Sequence, residues 1–271
     1  MKVSAMAKKQ KTRKQKAIDV LEVIVIGIIV YTLTLTFYSM PDTLDDAREH
    51  TDSITPLKGN IYWSYKDCHN HTRYDHIDLG ITQEEFENSM NQSITRVQTV
   101  FDPIGLGKVS PNDKYVQLIA ERILKLTERY TIEQRIIVAL NFVQTAIDYS
   151  YDKDTYGCDG FIAYPLETLY LGIGDCEDTS ILLMSILLAM SIDCVLLDYP
   201  THLAVGVRWE GQEKYMLCET TSSIKTSLRK NLEYEGDSPT IYRYDSVPEV
   251  CYVINDTMGW YRCKITDIFG V

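Results

Sequence analysis

Apolar residues along this chain follow three rhythms. Val23 to Met40 (VIVIGIIVYTLTLTFYSM) runs for eighteen residues without a charge. As a helix that stretch reaches about 27 Å, enough for a bilayer core of about 30 Å if flanking side chains snorkel. A helical period follows Asp113, with Val116, Ile119, Ile123, Leu124 and Leu126 on one face. It resumes after Thr131 with Ile136, Ile137, Leu140, Val143 and Ile147. Thr131 with Gln134 three residues on makes a capping-box start, so the pattern predicts two amphipathic helices, 113–130 and 132–149. The run Ile181–Met190 (ILLMSILLAM) is apolar nearly all round, as a helix in the centre of a domain should be. Strand-like runs then follow at 194–199, 202–209 and 214–219, parted by Pro-Thr and Glu-Gly turns, with two more at 250–254 and 260–266. Helices first and an antiparallel sheet second predict an α+β domain.

The organisation that results is a tail (1–17), a transmembrane helix (18–40), a stalk with an N-terminal elaboration (41–112) and the main domain (113–271). Charge gives it direction. Residues 1–17 hold seven of the 27 Lys and Arg and no acid, leaving 20 basic against 38 acidic side chains, a formal charge of −18 on the rest. Basic residues stay on the cytoplasmic side, so the N-terminus is placed in the cytoplasm and the main domain outside, on a single-pass anchor in the cell membrane. The competing readings are a cleaved signal peptide and a buried helix. The length of the apolar run and the absence of a small-x-small site at Tyr38-Ser39-Met40-Pro41 argue for an uncleaved anchor. An acidic outer domain repels phosphate, which excludes nucleic acid as its partner.

The chemistry gathers before the apolar helix. Gly172 and Gly174 permit a tight turn into Asp175-Cys176-Glu177-Asp178, and Cys176 falls in the first helical turn. Unsatisfied N–H groups there carry partial positive charge, which favours thiolate and can receive an oxyanion. Glu177 and Asp178 oppose that field, and a buried structural thiol is the competing reading. His202 opens a strand 26 residues later and has no histidine after it. A Cys–His pair needs such an imidazole to take the thiol proton and return it to the leaving group. If 202–209 and 214–219 pair as a hairpin, Glu219 lies across the ladder from His202, where a carboxylate would orient the ring. Asp198, four residues before His202, is the rival for that place.

Four segments in this order resemble the transglutaminase-like cysteine peptidase superfamily, above all its membrane-anchored prokaryotic, often archaeal, members. They are FVQTAIDYSYD (142–152), YPLETLYLGIGDCEDTSILLMSILLAM (164–190), THLAVGV (201–207) and YMLCETT (215–221). The resemblance implies a papain-like fold, a central helix bearing the cysteine packed on an antiparallel sheet. It carries Cys176 over as nucleophile, His202 as general base and acid, and Glu219 as third member, where the commonest pattern has Asp. For the oxyanion donor it leaves the Cys176 amide, with Tyr164 and Tyr170 as side-chain candidates. The activity implied is acyl transfer on a protein or peptide amide: hydrolysis if water accepts the acyl group, transamidation if an amine does. A catalytically silent protein-binding domain is the alternative, and a structural outer-surface stalk a third.

No cofactor and no metal site follow from the sequence. Cys68, His69, His71, Asp75 and His76 are potential zinc ligands whose spacing fits no closed zinc motif. Asn70, Asn91 and Asn255 each begin an Asn-x-Ser/Thr acceptor. Of the seven cysteines, Cys251 and Cys263 flank a turn and are candidates for a bridge, while Cys194 and Cys218 fall within apolar strands as packed thiols.

Overall fold

The computed structural model describes residues 51, 54–95, 105–157, 160–221, 228–229, 232, 237–244, 250–255 and 259–264. The basic tail and the uncharged run at 23–40 lie outside them. Among the described residues no helix is long and apolar enough to cross a membrane.

Among the described residues a hairpin comes first, β1 (Asn60–Lys66) and β2 (Thr72–Asp78), followed by helix α1 (Gln83–Thr95). Ile61, Trp63 and Tyr65 alternate inward along β1 and join the main core, with the Trp63 ring edge-on to Phe142. The outer edge of β1 is closed by side chains: Ser64 N–H donates to Thr145 Oγ1 and Lys66 N–H to Asn141 Oδ1. Residues that the sequence pattern leaves as an irregular elaboration thus share the core of the following domain.

The two amphipathic helices form as α2 (Lys114–Leu126) and α3 (Ile132–Ala146). Asp113 caps the first, and Thr131 with Gln134 forms the expected capping box on the second. Helix α3 stops three residues short of its pattern, because Asp148 and Tyr149 leave it as a two-residue strand β3. That strand pairs in parallel with β4 (Ile173–Gly174), and Asp148 N–H donates to Gly172 C=O at 2.9 Å. The pairing brings residues 148–152 alongside the approach to Cys176. Two short helices lie between, α4 (Asp152–Tyr156) and α5 (Pro165–Leu171).

Helix α6 (Cys176–Ala189) is the centre of the molecule. Ile181, Leu182, Leu183, Met184, Ile186 and Leu187 are all 0% exposed, which is why its sequence lacks a polar face. Each such side chain contributes about 1.5–3 kcal/mol by leaving water. One side of α6 meets α2, α3 and α5; the other lies on a six-stranded antiparallel sheet of order β10-β9-β8-β5-β6-β7. Its strands are β5 (Asp193–Tyr199), β6 (His202–Arg208), β7 (Met216–Cys218), β8 (Thr240–Arg243), β9 (Val250–Asn255) and β10 (Gly259–Lys264). The fold is thus mixed helix and sheet; the large sheet follows the helices as the pattern predicted, while the β1–β2 hairpin and the β3–β4 pair precede it. Strand β8 is the addition, a four-residue segment too short to show alternation.

Candidate active site

The first turn of α6 is built by its own side chains. Asp175 is the N-cap, its Oδ1 accepting from Glu177 N–H at 3.0 Å and Asp178 N–H at 3.4 Å. Asp178 returns a bond to the Asp175 N–H, closing a capping box of two acids. Gly174 is required here for space, since a Cβ on it would come within 2.8 Å of the Asp178 Cβ.

Cys176 follows as the first helical residue, 8% exposed. Its thiol donates to Glu177 Oε2 at 2.7 Å. Burial raises the thiol pKa well above its usual value, the Glu177 and Asp175 carboxylates raise it further, and the Leu203 amide offsets only part of this. The helix terminus was expected to favour the thiolate. Burial overrules it first, then the Glu177 carboxylate directly on the sulfur, while the Asp175 side chain takes two of the N-terminal amides.

His202 and Glu219 meet from neighbouring strands. His202 is the first residue of β6, and its Nε2 lies 2.7 Å from Glu219 Oε2, both side chains being buried. Val205 pairs with Cys218 in the ladder, so the same register carried one residue further sets Glu219 opposite Ala204. His202 and Glu219 are thus diagonal neighbours on one face, and not directly opposed as the hairpin argument placed them. Diagonal positions stand about 7–8 Å apart at the backbone, a span that a long acid and an imidazole bridge together. The other Glu219 oxygen accepts from the Thr221 amide and hydroxyl at 3.0 and 2.8 Å. Burial acts to raise the Glu219 pKa, but the His202 bond and charge, with the Thr221 donors, bring it net below the usual value. Asp198, the rival, sits on β5 opposite Leu203, where burial and then Glu177 raise its pKa.

Three further bonds tie these elements together. Ser180 Oγ donates to Leu203 C=O at 3.0 Å, the Thr179 and Thr220 hydroxyls share a bond of 2.9 Å, and Gln144 Nε2 donates to Glu219 C=O at 2.7 Å. The start of α6, the start of β6 and the end of β7 are therefore tied to one another, and His202 and Glu219 meet directly.

A second cluster lies behind the thiol. Carboxylate oxygens of Asp152, Asp175 and Asp178 lie within 4.8 Å of one another, all three residues being buried. Burial first raises the pKa of each; neighbouring acids add to it at Asp152 and Asp175, and at Asp178 the Ala163 and Asp175 amides offset part while Glu177 and Glu167 raise it. Among the described residues, Asp152 Oδ1 and the Tyr156 hydroxyl have no hydrogen-bond partner. Three buried hard oxygens with an unsatisfied fourth group beside them suit a divalent cation such as Ca²⁺. The sequence assigned no metal here. Asp178 and Asp175 are visible beside the cysteine, but Asp152 comes 23 residues earlier and arrives only through the β3–β4 pairing.

The remaining candidates fall elsewhere. Tyr170 stacks on Phe86 of α1 at 4.3 Å, and Tyr164 opens α5 with its ring 5.0 Å from Lys108 Nζ. The ring beside the site is Tyr149, half-exposed, whose pKa is raised by burial and then by Cys176 and Asp175. Its neighbour Tyr151 meets it edge-on at 5.3 Å. Among the described residues, Cys68 and the histidines at 69, 71 and 76 do not form a metal-ligating group. Asp67 instead accepts from the His69 and His71 amides and from Arg73, which shapes the hairpin turn.

No family model matches the chain, and no curated protein matches it. Among solved structures it is similar to Legionella pneumophila LapG. The EGTA-treated form is 14% identical over 59% of this chain and 93% of LapG, with a TM-score of 0.42. The calcium-bound form is 14% identical over 62% of this chain and 87% of LapG, with a TM-score of 0.39.

Proposed function

We propose that this chain performs thiol-dependent acyl transfer on protein amides, with a papain-like arrangement of Cys176, His202 and Glu219. The observation that carries the reading is the buried His202 Nε2–Glu219 Oε2 pair at 2.7 Å, on segments that Ser180 and Thr179 tie to the helix Cys176 opens. In this reading Glu219 fixes the imidazole through Nε2, which leaves Nδ1 as the proton acceptor for the thiol. The thiolate attacks the amide carbonyl, His202 returns the proton to the departing amine, and a thioester remains on Cys176. Water or a second amine then resolves it, giving hydrolysis or transamidation. The reading includes the single-pass anchor at 18–40, with the catalytic domain outside the cytoplasm and an outer-surface protein or peptide as substrate.

The site as it stands holds its thiol protonated. Activation requires the Glu177 carboxylate to leave the sulfur and the negative charge beneath it to be offset. Asp152, Asp175 and Asp178 would hold a divalent cation such as calcium, the ion carried by one LapG structure. Such an ion supplies positive charge one residue from Cys176, the direction that favours thiolate.

The Cys176–Glu177 bond also favours a second reading, a silent domain that keeps the fold and binds a partner. Alkylation by iodoacetamide against pH, with and without calcium, separates the two. An enzyme alkylates selectively at Cys176 well below about pH 8 when calcium is present. Reaction at Cys176 only near or above the ordinary thiol value of about 8.5 in both conditions sinks the catalytic reading.

A further inference from the structure

The two C-terminal strands carry a feature that neither the acyl-transfer chemistry nor the acid cluster uses. Among the described residues, strand β10 ends the six-stranded sheet with β9 as its one neighbour. In their antiparallel register Cys263 is the partner of Cys251, with Arg262 against Tyr252 and Lys264 against Val250 on either side. We propose that Cys251 and Cys263 form a disulfide that staples this terminal hairpin.

Register is what the sequence could not supply. Two cysteines twelve positions apart across a turn pair in this way in one alignment only, and a slip of one residue would put them on opposite faces. Directly opposed residues in an antiparallel ladder share a face, with Cα atoms about 4.5–5.5 Å apart. Disulfides span about 4.4–6.8 Å between Cα atoms, so either kind of opposed pair accommodates one without moving the backbone. Among the described residues the other four cysteines are free thiols placed on other elements. Cys176 sits at the candidate active site, and Cys194 and Cys218 are buried on β5 and β7 with β6 between them. Cys68 lies exposed beside the turn of the first hairpin.

The chemistry is a two-electron oxidation. Each thiol gives up one proton and one electron, and the S–S bond forms between the sulfurs. A disulfide-donating thiol oxidoreductase outside the cytoplasm takes both electrons and both protons and becomes a dithiol. The staple therefore rests on the outer-surface placement and not on the acyl-transfer reading. A cross-link suits an edge strand with a single neighbour, because a short closed loop limits how far the strand can peel away.

The test is non-reducing peptide mapping of the full chain from the membrane fraction, with free thiols alkylated at lysis. Trypsin cuts after Arg243, Arg262 and Lys264, so the staple joins peptide 244–262 to the dipeptide Cys263-Lys264. The expected product is that linked pair, lighter by two hydrogens than the separate thiols and split by reductant. In Cys251→Ser, Cys263 becomes fully alkylatable. Alkylation of both cysteines in the native chain overturns the proposal, as does a link from either one to another cysteine.

Discussion

Replacing Glu177 by Gln removes one charge from the sulfur and changes little else. The amide keeps the volume, and its oxygen still accepts from the thiol. The carboxylate now stands 2.7 Å from Sγ. Two charges about 4 Å apart at an effective dielectric of about 20 interact by about 4 kcal/mol, which corresponds to about three pKa units. Glu177 is partly exposed, and solvent screens some of this, so a shift of about one to two units is the working figure. The sign is fixed: a negative neighbour disfavours thiolate, so its loss lowers the Cys176 pKa and moves alkylation to lower pH. The assay is the rate of iodoacetamide labelling of the Cys176 peptide against pH by mass spectrometry, in chelator, for wild type and Glu177→Gln. Cys194 and Cys218, buried away from Glu177, serve as internal references. Identical pH profiles would refute the reasoning, since the thiol would then be set by burial alone.

Further outcomes follow from the same geometry. Glu219→Ala leaves a buried imidazole unpaired, costing about 1–3 kcal/mol of stability, and abolishes turnover; Glu219→Asp retains part of it, and melting curves with rates check both. The raised carboxyls of Asp152, Asp175 and Asp178 favour folding below the ordinary carboxylate value of about 4 and lose that contribution as pH rises through their raised values. The metal-free chain should therefore melt lower at about pH 9 than at about pH 5, and calcium should reverse the loss. Glu219 has the opposite sign, its contribution being present above the usual carboxylate value and lost as pH falls below it. Asp152→Asn should abolish the calcium-dependent rise in melting temperature while leaving the fold intact, and an unchanged rise would remove Asp152 from the cation site. Leu183→Ala, at a position with no exposure, should cost about 2–5 kcal/mol in chemical denaturation.

Much of this fold was legible in the sequence because its parts are local. Thr131 with Gln134 announced a helix start, the all-apolar run after Cys176 announced the central helix, and two short turns set β5, β6 and β7 in order. What was not legible depends on pairing between distant segments. The hairpin at 60–78 reads as irregular because β2 has no buried face, Thr72–Asp78 being mostly exposed. Asp152 joins the acids only through a two-residue parallel pairing that no periodicity can signal. The thiol's electrostatics went the other way from the helix-terminus argument because burial and the Glu177 carboxylate outweigh the helix end, some of whose amides are already taken. Asp175 takes two of them.

The most direct test of the account is acyl transfer itself. Outer-surface proteins are incubated with a labelled primary amine and calcium, with wild type or Cys176→Ala, and analysed by mass spectrometry for labelled side chains and new peptide termini. The account predicts one or both products with wild type, neither with the variant, and an acyl adduct on Cys176 in acid-quenched wild type. Equal labelling and equal termini in the two reactions, with Cys176 unmodified, would contradict it.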